Sequence, residues 1–193
     1  MSKIYVFLSC FLLLTLSAFS EDAAKEPITQ YAVYFSPEDH LADQLIALIN
    51  SEQKSIKAAV YCLQHRGVAK ALIDAQKRGV KIEILVDRFS VKARSPMKKL
   101  AAAKIPIFVW NPPAEETNKR RKSLMHDKFC VFNNHTVWTG SFNFTMEADT
   151  RNQENALVLQ NNDLAARYLK EFERLKGNGA QHFAAFLEEK NKF

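Results

Sequence analysis

Four kinds of side chain in one short stretch could together hold and attack a phosphoryl group. His126-Asp127-Lys128 is followed after four residues by Asn133, and after six more by Gly140-Ser141-Phe142-Asn143. In an extended chain alternate side chains share a face. His126 and Lys128 are therefore expected to point into one site, and Ser141 and Asn143 to share a face likewise. The set comprises an imidazole, an ammonium, a hydroxyl and a carboxamide. Lys128 can neutralise phosphate oxygens as a point charge, with Ser141 and Asn143 as hydrogen-bond donors. Imidazole serves near neutral pH as nucleophile or general acid. Gly140 allows close backbone approach. Such a design takes neither metal nor cofactor, because Lys128 and the donors meet the developing charge. Asp127 falls on the opposite strand face and reads as structural.

The pattern resembles the HKD signature of the phospholipase D superfamily, His-x-Lys-x4-Asp-x6-Gly-(Gly/Ser)-x-Asn, in spacing at every position. From about residue 30 to 176 the order of elements looks like the small bacterial endonucleases of that superfamily, which carry one such motif per chain. Ser55 to Tyr61, Ala71 to Asp87 and Gly140 to Thr145 look particularly close. The resemblance implies metal-independent hydrolysis of a phosphodiester through a phosphohistidine on His126. One motif is half a site, so it also implies a homodimer. Glu154, eleven residues after Asn143, stands where similar endonucleases have an acidic partner for the catalytic imidazole. The catalytic set expected is His126, Lys128 and Glu154, with Lys128, Ser141 and Asn143 on the phosphate. The one departure is Asn133, where the signature has Asp. Asn133-Asn134 reads as a hairpin tip, since Asn tolerates positive φ; the sharper alternative is a binding protein that has lost activity.

The elements that must position these residues alternate. Ala32 to Phe35 reads as a strand. Ser36-Pro37 then caps a helix over 38–50, with Leu41, Leu45, Leu48 and Ile49 at helical spacing. Ser55 to Cys62 is a buried strand. A helix carrying Val68, Leu72, Ile73 and Ala75 stops at Lys77-Arg78-Gly79, and Val80 to Val86 is a strand ending at Asp87. Met97 to Ala103 is a further helix and Ile105 to Trp110 a further strand. Leu124 to Phe132 and Thr136 to Thr139 make a hairpin, and Asn155 to Gln160 a last strand. Asp163 to Lys176 is a helix with Leu164, Tyr168, Phe172 and Leu175 on one face. This order predicts an α/β fold: a mixed, largely parallel sheet with helices on both faces, as in the phospholipase D-like fold. The catalytic domain is expected over 31–177, with a C-terminal tail over 178–193 in which Phe183, Phe186 and Leu187 could give a small apolar face, packed on the domain or contacting a partner.

Of the 193 residues, 47% are hydrophobic and 25% charged, which excludes a disordered chain and allows one domain. Lys3, the apolar run Ile4 to Leu16 and the small residues of Ser17-Ala18-Phe19-Ser20 form a signal-peptide pattern over 1–20. A linker follows at 21–30. The protein is thus expected to be exported, periplasmic or secreted; an uncleaved signal would tether it to a membrane. Cys62 and Cys130 read as buried free thiols. The net charge of +6 suits a polyanion. Lys119, Arg120, Arg121 and Lys122 lie just before the motif strand and could touch substrate phosphates; Arg88, Lys92 and Arg94 could extend that surface. Nucleic acid, DNA or RNA, is the substrate expected, with a membrane phospholipid as the alternative.

Overall fold

The structure, a computed structural model, describes residues 30–112 and 123–191. The segment expected as a signal peptide (1–20), all but the last residue of the segment expected as a linker (21–30), and Lys119, Arg120, Arg121 and Lys122 lie outside the described residues. β1 (Gln30–Ser36), α1 (Leu41–Ser51), β2 (Ser55–Val60), α2 (Arg66–Lys77) and β3 (Lys81–Asp87) follow the apolar periodicity. A 3-10 turn (Arg88–Ser90), α3 (Met97–Ala102) and β4 (Ile107–Trp110) come next. The hairpin is β5 (Lys128–Phe132) and β6 (Thr136–Gly140). A short α4 (Met146–Thr150) leads to β7 (Glu154–Gln160), α5 (Asn162–Gly179), β8 (Ala180–His182) and α6 (Phe183–Lys190).

The strands form one sheet in the order β1-β7-β6-β5-β2-β3-β4-β8. It is mixed and flanked by helices on both faces, as expected. Its parallel neighbours, however, are confined to β2-β3-β4, so the sheet is not largely parallel. The first half of the chain does run strand to strand in one direction, but the hairpin inserts beside β2 and is antiparallel by construction. β1 crosses to the far edge and pairs antiparallel with β7.

Alternation along the strands divides the core. Ile56, Ala58 and Val60 of β2 and Ile82, Ile84 and Val86 of β3 meet α1, α2, α3 and α6 on one face. Ala59, Leu85, Phe129 and Val131 face α5 alone on the other, around a fully buried Phe172. Burying a ring that size stabilises the fold by about 1.5–3 kcal/mol. Beneath α5, Glu83 lies between Lys57, at 3.0 Å, and Lys176, and Glu173 also contacts both lysines. Burial pushes Glu83 up, but the hydrogen bonds from Lys176 and Lys57 outweigh it and hold its carboxyl below the usual range.

Two local expectations change. The segment expected as a tail is part of the domain: β8 pairs with the open edge of β4, and α6 buries Phe183 and Phe186. α5 reaches this corner because Gly179 leaves room for Trp110, whose ring would lie 3.0 Å from an added Cβ. Nor does Ser36 cap α1. The buried Asp149 of α4 accepts from the Ala42 N–H at 2.8 Å, while the Ser36 hydroxyl donates to the Asn152 carbonyl and accepts from the Glu154 N–H.

Candidate active site

The C-terminal ends of β2, β3 and β6 meet the N-terminal ends of β5 and β7 along one edge of the sheet. His126 stands exposed on that edge, two residues before Lys128 opens β5 opposite Val60. Lys128 is only 7% exposed. Its Nζ lies 3.0 Å from His126 Nδ1 and also donates to the His126 carbonyl. The sequence therefore places imidazole and ammonium as alternation requires. Burial draws Lys128 below the ordinary lysine value, against the pull of Asp127 and Glu154. A cation held ready but poorly solvated is disposed to accept an anionic partner.

Two neighbours escaped the sequence reading. Tyr61, just past β2, lays its ring 4.7 Å from the imidazole, and Lys128 Nζ lies 5.5 Å from the same ring centroid. The Tyr61 N–H bonds the Asp127 carbonyl, continuing the ladder one residue past the strand. Asp87 closes β3 with no solvent exposure. Its Oδ1 accepts from the Phe89 N–H and its Oδ2 from the Met125 N–H, each at 2.9 Å. Burial pushes this carboxyl up, and the two backbone hydrogen bonds pull it partly back. Arg88 adds a bond to the Ser123 carbonyl at 3.2 Å. The end of β3 thus fixes the segment that delivers His126. The available signal was positional: ligand sites in α/β sheets gather at the carboxyl ends of parallel strands, where Tyr61 and Asp87 both fall.

The second half of the motif lies alongside. Gly140 is obligatory, because an added Cβ would sit 2.2 Å from the Asn155 carbonyl oxygen. Beyond it Phe142 and Phe144 are buried, while Ser141 and Asn143 are half-buried on the other side, as expected. Asn143 buries its Oδ1 without a hydrogen-bond partner. The Ser141 hydroxyl donates to Glu154 Oε2 at 2.5 Å and accepts from the Asn155 N–H. Glu154 Oε1 accepts from Asn152. Glu154 opens β7, and β6 separates β7 from β5. Its carboxylate therefore binds Ser141 where a direct bond to His126 was expected.

The sequence over residues 45–176 matches the family described as cardiolipin synthase, PLD-like domain. The chain belongs to the phospholipase D superfamily. It is 34% identical over 151 residues to Phospholipase D of Rickettsia prowazekii, covering 77% of this chain and 69% of that one. It is 26% identical to the mitochondrial cardiolipin hydrolase of Xenopus tropicalis over 77% of this chain and 67% of that one. The solved structure of Nuc from Salmonella typhimurium, a phospholipase D family member, superposes with a TM-score of 0.69 at 31% identity, covering 80% of this chain and 97% of Nuc. The chain is a phosphodiesterase-type hydrolase of the superfamily.

Its departure from the superfamily signature lies away from the chemistry. Asn133 and Asn134 have φ of 46° and 56° at the turn after β5, the opposite end of that strand from Lys128. The Asn133 N–H bonds the Ser55 carbonyl, and His135 closes the turn on Phe132. Asp127 faces α5, in a cavity of about 340 Å³ with Arg167, Tyr168 and Glu171. His65 caps α2 through its Nδ1, and His182 packs on Phe108. His135 sits beside Asn162, 2.9 Å from its side-chain oxygen. Trp138 is buried in the core. Cys130 is a buried free thiol, and Cys62 a free thiol only half-buried. Among the described residues no group of His, Cys, Asp or Glu is arranged to hold a metal ion, and no helix is long and apolar enough to cross a membrane.

Proposed function

We propose that the protein is an exported phosphodiesterase that hydrolyses nucleic acid through a phosphohistidine, in a site completed by a second copy. The observation that carries this reading is the contact of His126 with the buried ammonium of Lys128 at the rim of the sheet. At rest Lys128 donates to Nδ1, which puts the imidazole proton on Nε2. A bound phosphodiester draws the ammonium onto its nonbridging oxygens. Nδ1 then carries the proton and Nε2 offers its lone pair to phosphorus. The N–P bond forms as the P–O bond to the leaving oxygen breaks, and the partner subunit's His126 gives that oxygen a proton. The same imidazole next takes a proton from water, whose oxygen attacks phosphorus and releases His126. Asn143 supplies its carboxamide to the phosphate. Ser141, whose hydroxyl proton rests on Glu154, serves the same oxygens by turning that proton from the carboxylate to the phosphate. Both halves of this chemistry need a nucleophile and an acid on opposite sides of phosphorus, and each chain supplies one His126 of this kind. A two-fold axis through the site provides the other.

Nucleic acid is favoured by the net charge of +6 and by Arg88 at the site rim. A phospholipid headgroup is the second reading. Relatives bear the names Phospholipase D and mitochondrial cardiolipin hydrolase, and Phe89 and Leu124 expose apolar surface near His126. Loss of activity through Asn133 finds no support in its position at the far turn. The test is incubation of the purified protein with plasmid, single-stranded DNA, RNA and phosphatidylcholine in chelator, with His126→Ala as control. Cleavage of a nucleic acid by the wild type alone is the expected result. Turnover of phosphatidylcholine alone would transfer the assignment to lipid.

A further inference from the structure

An aromatic path leads outward from the imidazole. The His126 and Tyr61 rings lie 4.7 Å apart, and the Tyr61 and Phe89 rings 6.3 Å apart. Tyr61 is half-buried and Phe89 is 49% exposed. A phenyl ring of that exposure leaves about half of its apolar surface in water. It is nonetheless fixed: the Phe89 N–H is held by Asp87, and the Arg88 guanidinium lies 5.1 Å from the ring centroid. Arg88 is itself tied to the Ser123 carbonyl. A flat ring and a guanidinium thus stand together, one ring beyond the group that attacks phosphorus.

We infer that Phe89 and Arg88 form a subsite for a nucleobase flanking the scissile phosphodiester. This rests on the nucleic-acid reading above. Every base has a π-face, so an aromatic ring stacks bases without regard to sequence. A guanidinium plane stacks as well and offsets the charge of a neighbouring phosphate. The two ring steps place Phe89 within reach of a base whose phosphate lies against His126. An acyl chain fits this pair less well, because a guanidinium beside the ring opposes entry into hydrocarbon.

The experiment compares a dinucleotide holding one phosphodiester with its analogue abasic on both sugars. Phe89→Ala is expected to raise KM for the dinucleotide about tenfold relative to the abasic analogue, the worth of one lost stack. Phe89→Trp is expected to restore the wild-type ratio. An unchanged ratio in Phe89→Ala would overturn the subsite while leaving the nuclease reading in place. A loss confined to phosphatidylcholine vesicles would assign the ring to lipid and overturn it too. If the wild type hydrolyses neither dinucleotide nor longer nucleic acid, the nucleic-acid reading fails and the subsite falls with it.

Discussion

Asp87 Oδ2 accepts the backbone N–H of Met125 at 2.9 Å, so the last residue of β3 holds the residue before His126. The same carboxylate accepts from Phe89 with its other oxygen. Asparagine has one acceptor oxygen and cannot satisfy both N–H groups. Asp87→Asn should lower kcat about 10- to 100-fold, since small misplacement of a reacting group costs that much, and should leave KM nearly unchanged. Steady-state kinetics with a thermal melt separates the effects. A fall in KM-dependent binding alone would contradict a positioning role.

Lys128 gives a pH prediction. Burial lowers its pKa from the ordinary 10.5, so the ammonium is lost at a lower pH than in free lysine. Affinity for inorganic phosphate, which needs the ammonium but no catalytic proton transfer, should fall on the alkaline side below that value. Lys128→Arg keeps its charge throughout, so phosphate binding by the variant should lack that limb. A limb retained in the variant would show that another group titrates there.

Asn133 should be tolerant of its superfamily counterpart and intolerant of shape. Asn133→Asp is expected to change kcat less than twofold, because the turn lies at the far end of β5. Asn133→Val should destabilise the fold by about 1–2 kcal/mol, the cost of a β-branched side chain at a φ of 46°. Denaturant unfolding measures the second, and a large gain in kcat for Asn133→Asp would restore a chemical role to the position.

Glu83 ties β3 to α5 through Lys57 and Lys176. Its pKa is lowered in the folded protein. Its contribution is therefore fully present above the unfolded value and is lost as pH falls through the folded one. Glu83→Gln should cost about 1–2 kcal/mol at pH 7, a range set by partly exposed charged hydrogen bonds. The gap from wild type should shrink on acidification below 4.5, the ordinary glutamate value. Melts across pH would show a constant gap if the network were inert.

The sequence made His126, Lys128, Ser141 and Asn143 legible because strand alternation is a local rule, and the burial of Phe142 and Phe144 follows it. Gly140 was legible as a close approach, though not that Asn155 is what it approaches. Sheet order was not legible. Nothing local says that β5 pairs with β2 or that β1 travels to β7. For the same reason Asp149 as the cap of α1, 107 residues away, was hidden. So was the tie from Asp87 to Met125. Glu154 was found by resemblance, but its partner depends on a register that sets it beside Ser141. The apolar face of Phe183 and Phe186 was legible, but not which surface receives it, because that surface exists only once β8 has paired with β4.

The central claim is that His126 attacks phosphorus. An end-labelled single-stranded oligonucleotide, mixed with the protein in chelator and quenched within one turnover, tests it on a denaturing gel. The expected result is a labelled, acid-labile protein adduct that maps to His126 and is absent from His126→Ala, together with loss of hydrolysis in that variant. Undiminished hydrolysis by His126→Ala, with no adduct in the wild type, would contradict it.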